Sequence, residues 1–226
     1  LMKKRILVIA PHPDDEMLGC GGTLLKHIHD GDEVSWLICT KTTEDMGWTE
    51  DFRKQRDKDI EKVSNLMCFS NTYKLNFPAA KLDQLSASEI IPKMSEVFKE
   101  FQPNIVYTTH RGDVHTDHKI TFDCVNACSK WFRCQSVEKI YAYETPSETE
   151  FNYKSDQIFH PNTFVDISEY LDKKLEIIQI YKTEIHSFPF PRSVETIEAL
   201  ARWRGSNSGF LAAEAFQLLI DRSSTT

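Results

Sequence analysis

The sequence predicts an α/β protein, a Rossmann-like three-layer sandwich with a mostly parallel central sheet, flanking helices and an active site at the carboxyl ends of the strands. The first observation is an unbroken apolar run, Ile6–Ala10, which is typical of a strand buried on both faces of a parallel sheet. The second is the βαβ unit that this run forms with the amphipathic segment 23–30 and the apolar segment 33–39. The third is the continued alternation of strand and helix patterns along the chain.

The later elements follow in chain order. Helical patterns cover 51–67, 117–130, 167–183 and 193–204. Between the first two of these, another helical pattern is capped by Ser86 or Ser88 and ends near Phe101. Strand patterns cover 73–77, 105–109, 139–143 and 159–165, and residues 212–220 close the fold. The polar segment 40–50 is predicted to be a loop at the carboxyl edge of the sheet. Because the chain shows no internal repeat and no linker, residues 1–226 are predicted to form a single domain.

Composition narrows the class of protein. The 226 residues are 40% hydrophobic, which is enough for one core, and no apolar run approaches the roughly 18 residues of a spanning helix. Since the amino terminus also lacks the apolar region of a signal peptide, we expect a cytoplasmic protein with no membrane partner. The formal net charge of −7 argues against nucleic acid as a partner.

The six cysteines are spread along the chain, and reduced, unpaired thiols are the favoured interpretation. Cys39 and Cys68 lie in apolar contexts and are expected in the core. Cys124 and Cys128 are one helical turn apart with Cys134 nearby, which leaves soft-metal ligation as an alternative. No second cysteine pair accompanies them.

The turn after the first strand has an unusual density of polar groups. Segment 11–16 is Pro-His-Pro-Asp-Asp-Glu, and its two prolines stop both strand pairing and helix formation. His12 and Asp15 offer an imidazole and a carboxylate that zinc accepts, while Asp14 stays free to act as general base toward a metal-bound water. The alternative is an acidic turn that only caps the next helix. A dinucleotide-binding turn is rejected, because an acidic turn repels phosphate.

A second cluster follows the strand predicted at 105–109. Segment 110–118 contains three of the eight histidines together with Asp113 and Asp117. The alternative is a polar loop with capping aspartates, but loop chemistry has no use for three imidazoles. Because the carboxyl ends of parallel strands share one edge of a sheet, we expect the two clusters to meet there and complete a His-Asp-His zinc site. The pattern predicts a metal hydrolase.

These motifs resemble those of the LmbE-like (PIG-L) superfamily of zinc-dependent N-acetyl-sugar deacetylases, and the chain is similar to small bacterial members such as the bacillithiol- and mycothiol-pathway enzymes. Segment 11–16 looks like the amino-terminal signature, and segment 115–118, His-Thr-Asp-His, looks like the second motif. Segment 56–59 is similar to the family's Arg-x-x-Glu, with aspartate replacing glutamate, and segment 201–216 resembles the tails of small members. One departure is at His186, which is followed by Ser-Phe-Pro where many members have His-x-Ser-Gln.

The resemblance implies a metal site and a set of catalytic residues. By this resemblance, the zinc ligands would be His12, Asp15 and His118. The same ligand set would also accept Fe²⁺, Co²⁺ or Mn²⁺. Asp14 would be the general base, and His115, oriented by Asp117, would act opposite it with a protonated ring. Whether Asp14 or His115 delivers the proton to the leaving amine stays open.

The resemblance also implies a small-molecule N-acetyl sugar of the N-acetylglucosamine type as substrate. Its aglycone stays open between a nucleotide, a thiol-precursor glycoside and a lipid. Arg56 and Asp113 are the candidate substrate contacts, and the alternative for Arg56 is a solvated helix arginine paired with Asp59 or Glu61. Two other functions stay open, a zinc amidase for a non-sugar N-acyl substrate and a catalytically inactive metal-binding member. Assembly into a homo-oligomer also stays open.

Overall fold

The computed structural model describes residues 3–222, and a seven-stranded sheet lies at the centre of this part of the chain. Its strands are β1 (Arg5–Ala10), β2 (Glu33–Lys41), β3 (Thr72–Pro78), β4 (Ile105–Thr109), β5 (Lys139–Tyr143), β6 (Thr163–Asp166) and β7 (Ala213–Asp221). Their spatial order is β3-β2-β1-β4-β5-β7-β6. Strands β1 to β5 are parallel, whereas β7 pairs antiparallel with both β5 and β6. The predicted mostly parallel sheet is confirmed.

The apolar run Ile6–Ala10 lies in the central strand. Strand β1 pairs with β2 on one edge and with β4 on the other, and all five residues of the run are fully buried. A strand with neighbours on both edges and helices on both faces has no solvated side, so its residues are all apolar rather than alternating. The chain continues from β1 to one side of the sheet and later to the other. The carboxyl end of β1 is therefore at the switch point, where open α/β sheets bind their ligands.

Within residues 3–222, six α-helices cover the two faces of the sheet. They are α1 (Asp15–His29), α2 (Glu50–Leu66), α3 (Ala87–Phe101), α4 (Thr116–Cys128), α5 (Leu171–Ile178) and α6 (Val194–Ser206). Because neighbouring residues of a strand point to opposite faces, Ile6 and Val8 join a core with α1, α2, α5 and α6, while Leu7 and Ile9 join a core with α3 and α4. The three-layer arrangement is confirmed.

Helix α1 begins at Asp15 and not near Thr23, where the sequence predicted its start. The glycine-rich segment lies inside the helix, at a point where the end of β5 packs closely against it. A Cβ atom on Gly19 would lie 2.2 Å from the ring of Tyr143. Glycine was therefore a sign of close packing here rather than of a turn.

The same helix is kinked at Cys20, whose φ of −146° and ψ of 18° are not helical. The backbone N–H groups of Gly22 and Thr23, just after the kink, donate to the carboxylate of Glu214 at 2.9 and 2.7 Å. Lys174 completes the arrangement by donating to Glu214 at 2.6 Å, and both side chains are buried. Strand β7 and helix α5 thus hold the helix that begins with Asp15.

Two later elements are shorter than predicted. Strand β6 begins at Thr163 rather than at 159, after Pro161, which has no N–H to donate to a strand ladder. Helix α5 ends at Ile178 rather than at 183, because the chain continues in tight turns such as the one closed by the hydrogen bond from the Tyr181 N–H to the Ile178 carbonyl. The side chain of Tyr181 is nevertheless buried and reaches the turn after β1.

All six cysteines lie in the described part of the chain and are free thiols. Cys68 is exposed and not in the core, because the backbone turns there with φ of 51° after α2 ends. The soft-metal alternative receives no support, since the groups of residues within 3–222 that could share a metal contain no cysteine. None of the helices in that range is both long and apolar enough to span a bilayer.

Candidate metal centre and cavity

The turn after β1 holds its acidic side chains on a strained backbone. Asp14 has a φ of 132° and a ψ of −31°, a region that costs a residue other than glycine about 1–3 kcal/mol. The N–H of Asp14 donates to one oxygen of Glu16 at 3.0 Å, and the hydroxyl of Tyr181 donates to the other at 2.9 Å. Glu16 therefore holds the turn. Burial disfavours its charged form and raises the pKa of Glu16 to about 8.

Three side chains from the two predicted clusters meet at the carboxyl edge of the sheet. Nδ1 of His12 lies 3.3 Å from an oxygen of Asp15, and Nε2 of His118 lies 3.4 Å from the same oxygen. Ligands bound to zinc at about 2.0–2.1 Å in a tetrahedron are about 3.3 Å apart. The spacing of these donor atoms therefore fits a shared divalent ion.

A carboxylate lies behind each of the two histidines. Nε2 of His12 lies 3.0 Å from Asp117, and Nδ1 of His118 lies 2.8 Å from Asp113. A histidine that binds a metal through one ring nitrogen usually donates its other N–H to a carboxylate, which fixes the tautomer and makes the ring more basic. The hydrogen bonds thus leave Nδ1 of His12 and Nε2 of His118 as the nitrogens that face an ion.

The position of Asp113 does not fit the substrate contact that the sequence predicted. Its side chain is fully buried and is absent from the lining of the cavity described below. One carboxylate oxygen faces His118, and the other accepts a hydrogen bond from the hydroxyl of Thr149 at 2.7 Å. Asp113 therefore positions His118, and both of its oxygens are engaged inside the protein.

The relation between His115 and Asp117 also differs from the prediction. The carboxylate of Asp117 lies against His12 and accepts the backbone N–H groups of Ala80 and Leu82 at 2.7 and 3.0 Å. It is the backbone N–H of Asp117 that orients His115, by donating to its Nδ1 at 3.1 Å at the start of α4. In the neutral ring the proton is then on Nε2. In the group of His12, His115 and Asp117, whose donor atoms also lie within 4.8 Å of one another, the Asp117 carboxylate and Nδ1 of His115 are already engaged in hydrogen bonds.

The carboxylates make the centre favourable for positive charge. Burial would lower the pKa of His12, but hydrogen bonds to Asp117 and Asp15 outweigh it and raise the pKa to about 9. Burial is likewise outweighed at His118, whose pKa rises well above its usual range beside Asp15. A site that favours protonated imidazoles in this way also favours a divalent cation. At His115, burial and then the charges of His12 and His118 lower the pKa to about 4. Its ring is therefore neutral, whereas the resemblance implied a protonated ring.

Arg192 is a site residue that sequence reasoning missed. Its Nη1 donates to Oδ2 of Asp14 at 2.9 Å, and its Nη2 lies 3.4 Å from Glu148. Burial and the charge of Asp15 raise the pKa of Asp14 to about 7, although the charge of Arg192 lowers it. Arg192 is 178 positions from Asp14 in the sequence and follows a proline-rich loop. Neither periodicity nor motif spacing signals this contact.

A cavity of about 520 Å³ opens beside the metal centre. His12, Asp14 and His115 line it at the metal end, and it extends over the carboxyl ends of β2 and β3. This volume is typical of sites for small molecules. Of the predicted catalytic residues, Asp14 and His115 therefore face a space that can hold a substrate, whereas Asp117 is buried behind His12.

Arg56 lies in the wall of this cavity, as a substrate contact would. Its guanidinium pairs with Glu184 and lies 5.8 Å from the ring centre of Tyr181. The alternative pairing with Asp59 or Glu61 is not the one that forms. Because Glu184 already neutralises the charge of its guanidinium, Arg56 is a paired side chain of the cavity wall rather than a free cation.

The sequence profile of one family matches residues 7–129, more than half of the 226 residues. That family is PIG-L, described as GlcNAc-PI de-N-acetylase. The chain belongs to the PIG-L family. The matched range includes both clusters that supply the candidate metal centre, and the resemblance noted in the sequence is therefore confirmed.

Individual proteins resemble this PIG-L chain over most of its length. The uncharacterized deacetylase YaiS of Escherichia coli K12 is 28% identical over 187 residues, which cover 80% of this chain and 92% of that protein. The structure of N,N'-diacetylchitobiose deacetylase from Pyrococcus horikoshii has a TM-score of 0.77 at 22% identity. The match covers 96% of this chain and 84% of the deacetylase chain. The structure of GalB of Pseudomonas putida, a 4-carboxy-2-hydroxymuconate hydratase, has a TM-score of 0.77 at 16% identity. The match covers 100% of this chain and 99% of the GalB chain. Proteins named for different reactions thus share the fold.

Proposed function

We propose that this chain is a metal-dependent N-deacetylase that hydrolyses the acetamide of an amino sugar of the N-acetylglucosamine type. The observation that supports it most is the donor set of His12, Asp15 and His118 at metal spacing, with the carboxylate of Asp14 beside it at the end of a cavity. Amide hydrolysis needs an activated water and a base that is not itself a ligand. Membership of a de-N-acetylase family and similarity to proteins named as deacetylases also support the proposal.

When bound, a divalent ion would polarise the acetamide carbonyl and lower the pKa of a water. His12, Asp15 and His118 would hold it, and three protein ligands are the number that leaves room for water and substrate. Two imidazoles and a carboxylate suit zinc, and they also suit Fe²⁺, Co²⁺ and Mn²⁺. We propose zinc as the resident ion.

Asp14 would act as the general base. Hydrolysis forms a bond between the oxygen of water and the acetyl carbon, and it breaks the bond between that carbon and the nitrogen. Asp14 would accept the proton of the attacking water, and a proton must reach the leaving nitrogen to give acetate and a free amine. Arg192 occupies Oδ2 of Asp14, which leaves Oδ1 for the water.

His115 would act on the carbonyl side. Its Nδ1 accepts the N–H of Asp117, so its Nε2–H is the group that can donate to the carbonyl oxygen as negative charge develops there. A neutral imidazole is sufficient for this task, as it is in triosephosphate isomerase. Asp117 would contribute by holding His12 through its carboxylate and His115 through its backbone.

The experiment is a measurement of acetate release from a panel of N-acetyl amino sugars, run beside non-sugar N-acyl amines and an unsaturated acid of the kind that a hydratase uses. We expect acetate only from the sugars, loss of turnover with a chelator, and recovery with zinc. Protein that holds one metal per chain and releases no acetate from any N-acetyl sugar would contradict the proposal. Turnover of the non-sugar amides alone would establish the amidase alternative instead.

A further inference from the structure

The cavity is more basic than the protein around it. Five cationic side chains line it against three carboxylates, although the whole chain has a formal net charge of −7. The cations are Lys41, Arg53, Arg56, Lys74 and Arg192, and the carboxylates are Asp14, Asp57 and Glu184. A cavity of opposite sign to its protein attracts ligands of the protein's own sign.

The cations near the metal end are already neutralised. Arg192 pairs with Asp14 and also lies 3.3 Å from Glu184, which in turn pairs with Arg56. These four side chains form one chain of alternating charges along the inner wall. A ligand would gain little by adding another charge to it.

The cations at the other end are available. Lys41 is exposed and forms no ion pair with any residue in 3–222, and the side chain of Lys74 lies 3.5 Å from Asp57 in a half-exposed pair. The ion pair that Arg53 forms within the described part of the chain is a 3.5 Å contact with Glu44, whose side chain is 86% exposed. Exposed contacts of this length contribute little stability, so a better anionic partner would replace them readily.

The strand order places these lysines away from the reacting group. The metal centre lies between β1 and β4, whereas Lys41 ends β2 and Lys74 is in β3 on the other side of β1. Neighbouring strands are about 4.8 Å apart, so β3 lies about 10 Å from β1. The backbone N–H of Thr40 donates to the Pro11 carbonyl at 3.0 Å, which joins the end of β2 to the metal-binding turn. An acetamide at the metal thus leaves the remainder of the molecule over β2 and β3.

An aromatic surface completes this outer end. Trp48, which lines the cavity, stacks on Phe52 with ring centres 4.3 Å apart and planes 18° from parallel. Its ring is 40% exposed despite its size. Apolar surface beside a few charged groups is typical of a site that orients an organic ligand.

We infer that the substrate has an acidic group, a carboxylate or a phosphate, on the part of the molecule remote from its acetamide, and that Lys41 and Lys74 bind this group. The inference rests on the proposed deacetylation, and it adds the charge and the orientation of the substrate. Lysine binds both kinds of anion as a point charge and does not require a fixed geometry. The part of the substrate between the two ends would lie against Trp48.

The test compares neutral and acidic sugars on the metal-loaded enzyme. The probes are methyl N-acetylglucosaminide, N-acetylglucosamine 1-phosphate and N-acetylmuramic acid, and the quantity is the ratio of kcat/KM for an acidic sugar to that for the neutral one. We expect a ratio of about ten or more for at least one acid, since a hydrogen bond to a charged group is worth about that factor. The acid with the larger ratio distinguishes phosphate from carboxylate.

The variants locate the effect. The double substitution Lys41→Gln and Lys74→Gln should bring the ratio close to one, and Lys41→Arg with Lys74 intact should keep it. Lys99→Gln, at an exposed lysine of α3 that is not part of the cavity lining, is the matched control and should leave the ratio unchanged. Circular dichroism and metal content must match the wild type in each variant.

Binding measured by calorimetry separates this inference from the proposed reaction. N-acetylglucosamine 1-phosphate should bind the metal-loaded protein more tightly than the neutral glycoside, and the double variant should lose that difference. If no sugar releases acetate and this binding pattern holds, the anion site stands and the deacetylation fails. Equal constants for acidic and neutral sugars, or a preference that the double variant retains, would overturn the inference.

Discussion

Arg192 donates a hydrogen bond from Nη1 to Oδ2 of Asp14 at 2.9 Å, although the two residues are 178 positions apart in the sequence. The Asp14 side chain is 2% exposed and that of Arg192 is 17% exposed. Nε of Arg192 also donates to the hydroxyl of Ser147 at 2.7 Å, so the guanidinium is itself held in place. One oxygen of the proposed base is therefore fixed, and the other can face the cavity.

Arg192→Ala should lower kcat by about 10- to 100-fold, because removing a charged partner leaves the Asp14 carboxylate without its fixed hydrogen bond. Metal content should stay at one ion per chain. Added guanidinium ion should restore part of kcat, which a purely structural role would not allow, and Arg192→Lys should be less impaired than the alanine variant. Arg202→Ala is the matched control, since Arg202 lies on α6 and forms an exposed pair with Glu198. Unchanged kcat in Arg192→Ala would exclude the positioning role.

Asp14→Asn should retain the metal and lower turnover by about 10²-fold or more, which is the usual contribution of a positioned general base. The change removes the proton acceptor and keeps the shape of the side chain. Metal analysis and kinetics on the same preparation provide the measurement, with Asp57→Asn, another carboxylate of the cavity wall, as the comparison. A metal-free Asp14→Asn protein would mean that Asp14 is a ligand.

His118→Ala should lose the metal, because it removes one of the three proposed protein ligands. Metal analysis after dialysis should give about one ion per chain for the wild type and close to none for the variant. His160→Ala, which changes an exposed histidine in a loop, should bind like the wild type. Full occupancy in His118→Ala would remove His118 from the ligand set.

Asp113→Asn should weaken metal binding by about 10- to 100-fold, the usual effect of losing the carboxylate that holds a ligating histidine. Thr149→Val, which removes the hydrogen bond to the other oxygen of Asp113 and the acceptor of the Thr145 N–H but leaves the Asp113 carboxylate beside His118, should weaken it less. Competition with a chelator gives both affinities. If Asp113→Asn raised KM with its metal affinity intact, Asp113 would be a substrate contact after all.

Gly19→Ala should destabilise the fold by about 1–3 kcal/mol, the usual cost of forcing atoms into a packed core. The added Cβ would lie 2.2 Å from the ring of Tyr143, which is buried and whose hydroxyl donates to the Ile9 carbonyl at 2.9 Å. Gly21→Ala should cost less, because its Cβ would meet the flexible end of Met17 at 2.7 Å. Urea unfolding of the metal-loaded proteins compares the two. Equal stability of Gly19→Ala and the wild type would contradict the packing argument.

The sequence by itself determined the fold class and the location of the centre. Hydrophobic periodicity is a property of neighbouring residues, so the central strand Ile6–Ala10 and most helices were predicted close to their observed bounds. The prolines of segment 11–16 fixed where that strand ends. Because parallel strands end at one edge, the two clusters of histidine and aspartate were correctly expected to meet, and the structure brings His12, Asp15 and His118 together.

Only the tertiary structure decided how the side chains pair around that centre. The partner of Arg192, the direction of the Asp117 carboxylate toward His12 and the burial of Asp113 depend on contacts between segments that share no local pattern. The predicted start of α1 was wrong for a related reason. Gly19 lies inside the helix and packs against the ring of Tyr143, which belongs to a strand that is distant in the sequence. Local sequence specifies which backbone conformation a segment favours. The hydrogen-bond partner of a buried charge is set by what the fold places within about 3 Å of it, and that is a property of the whole chain.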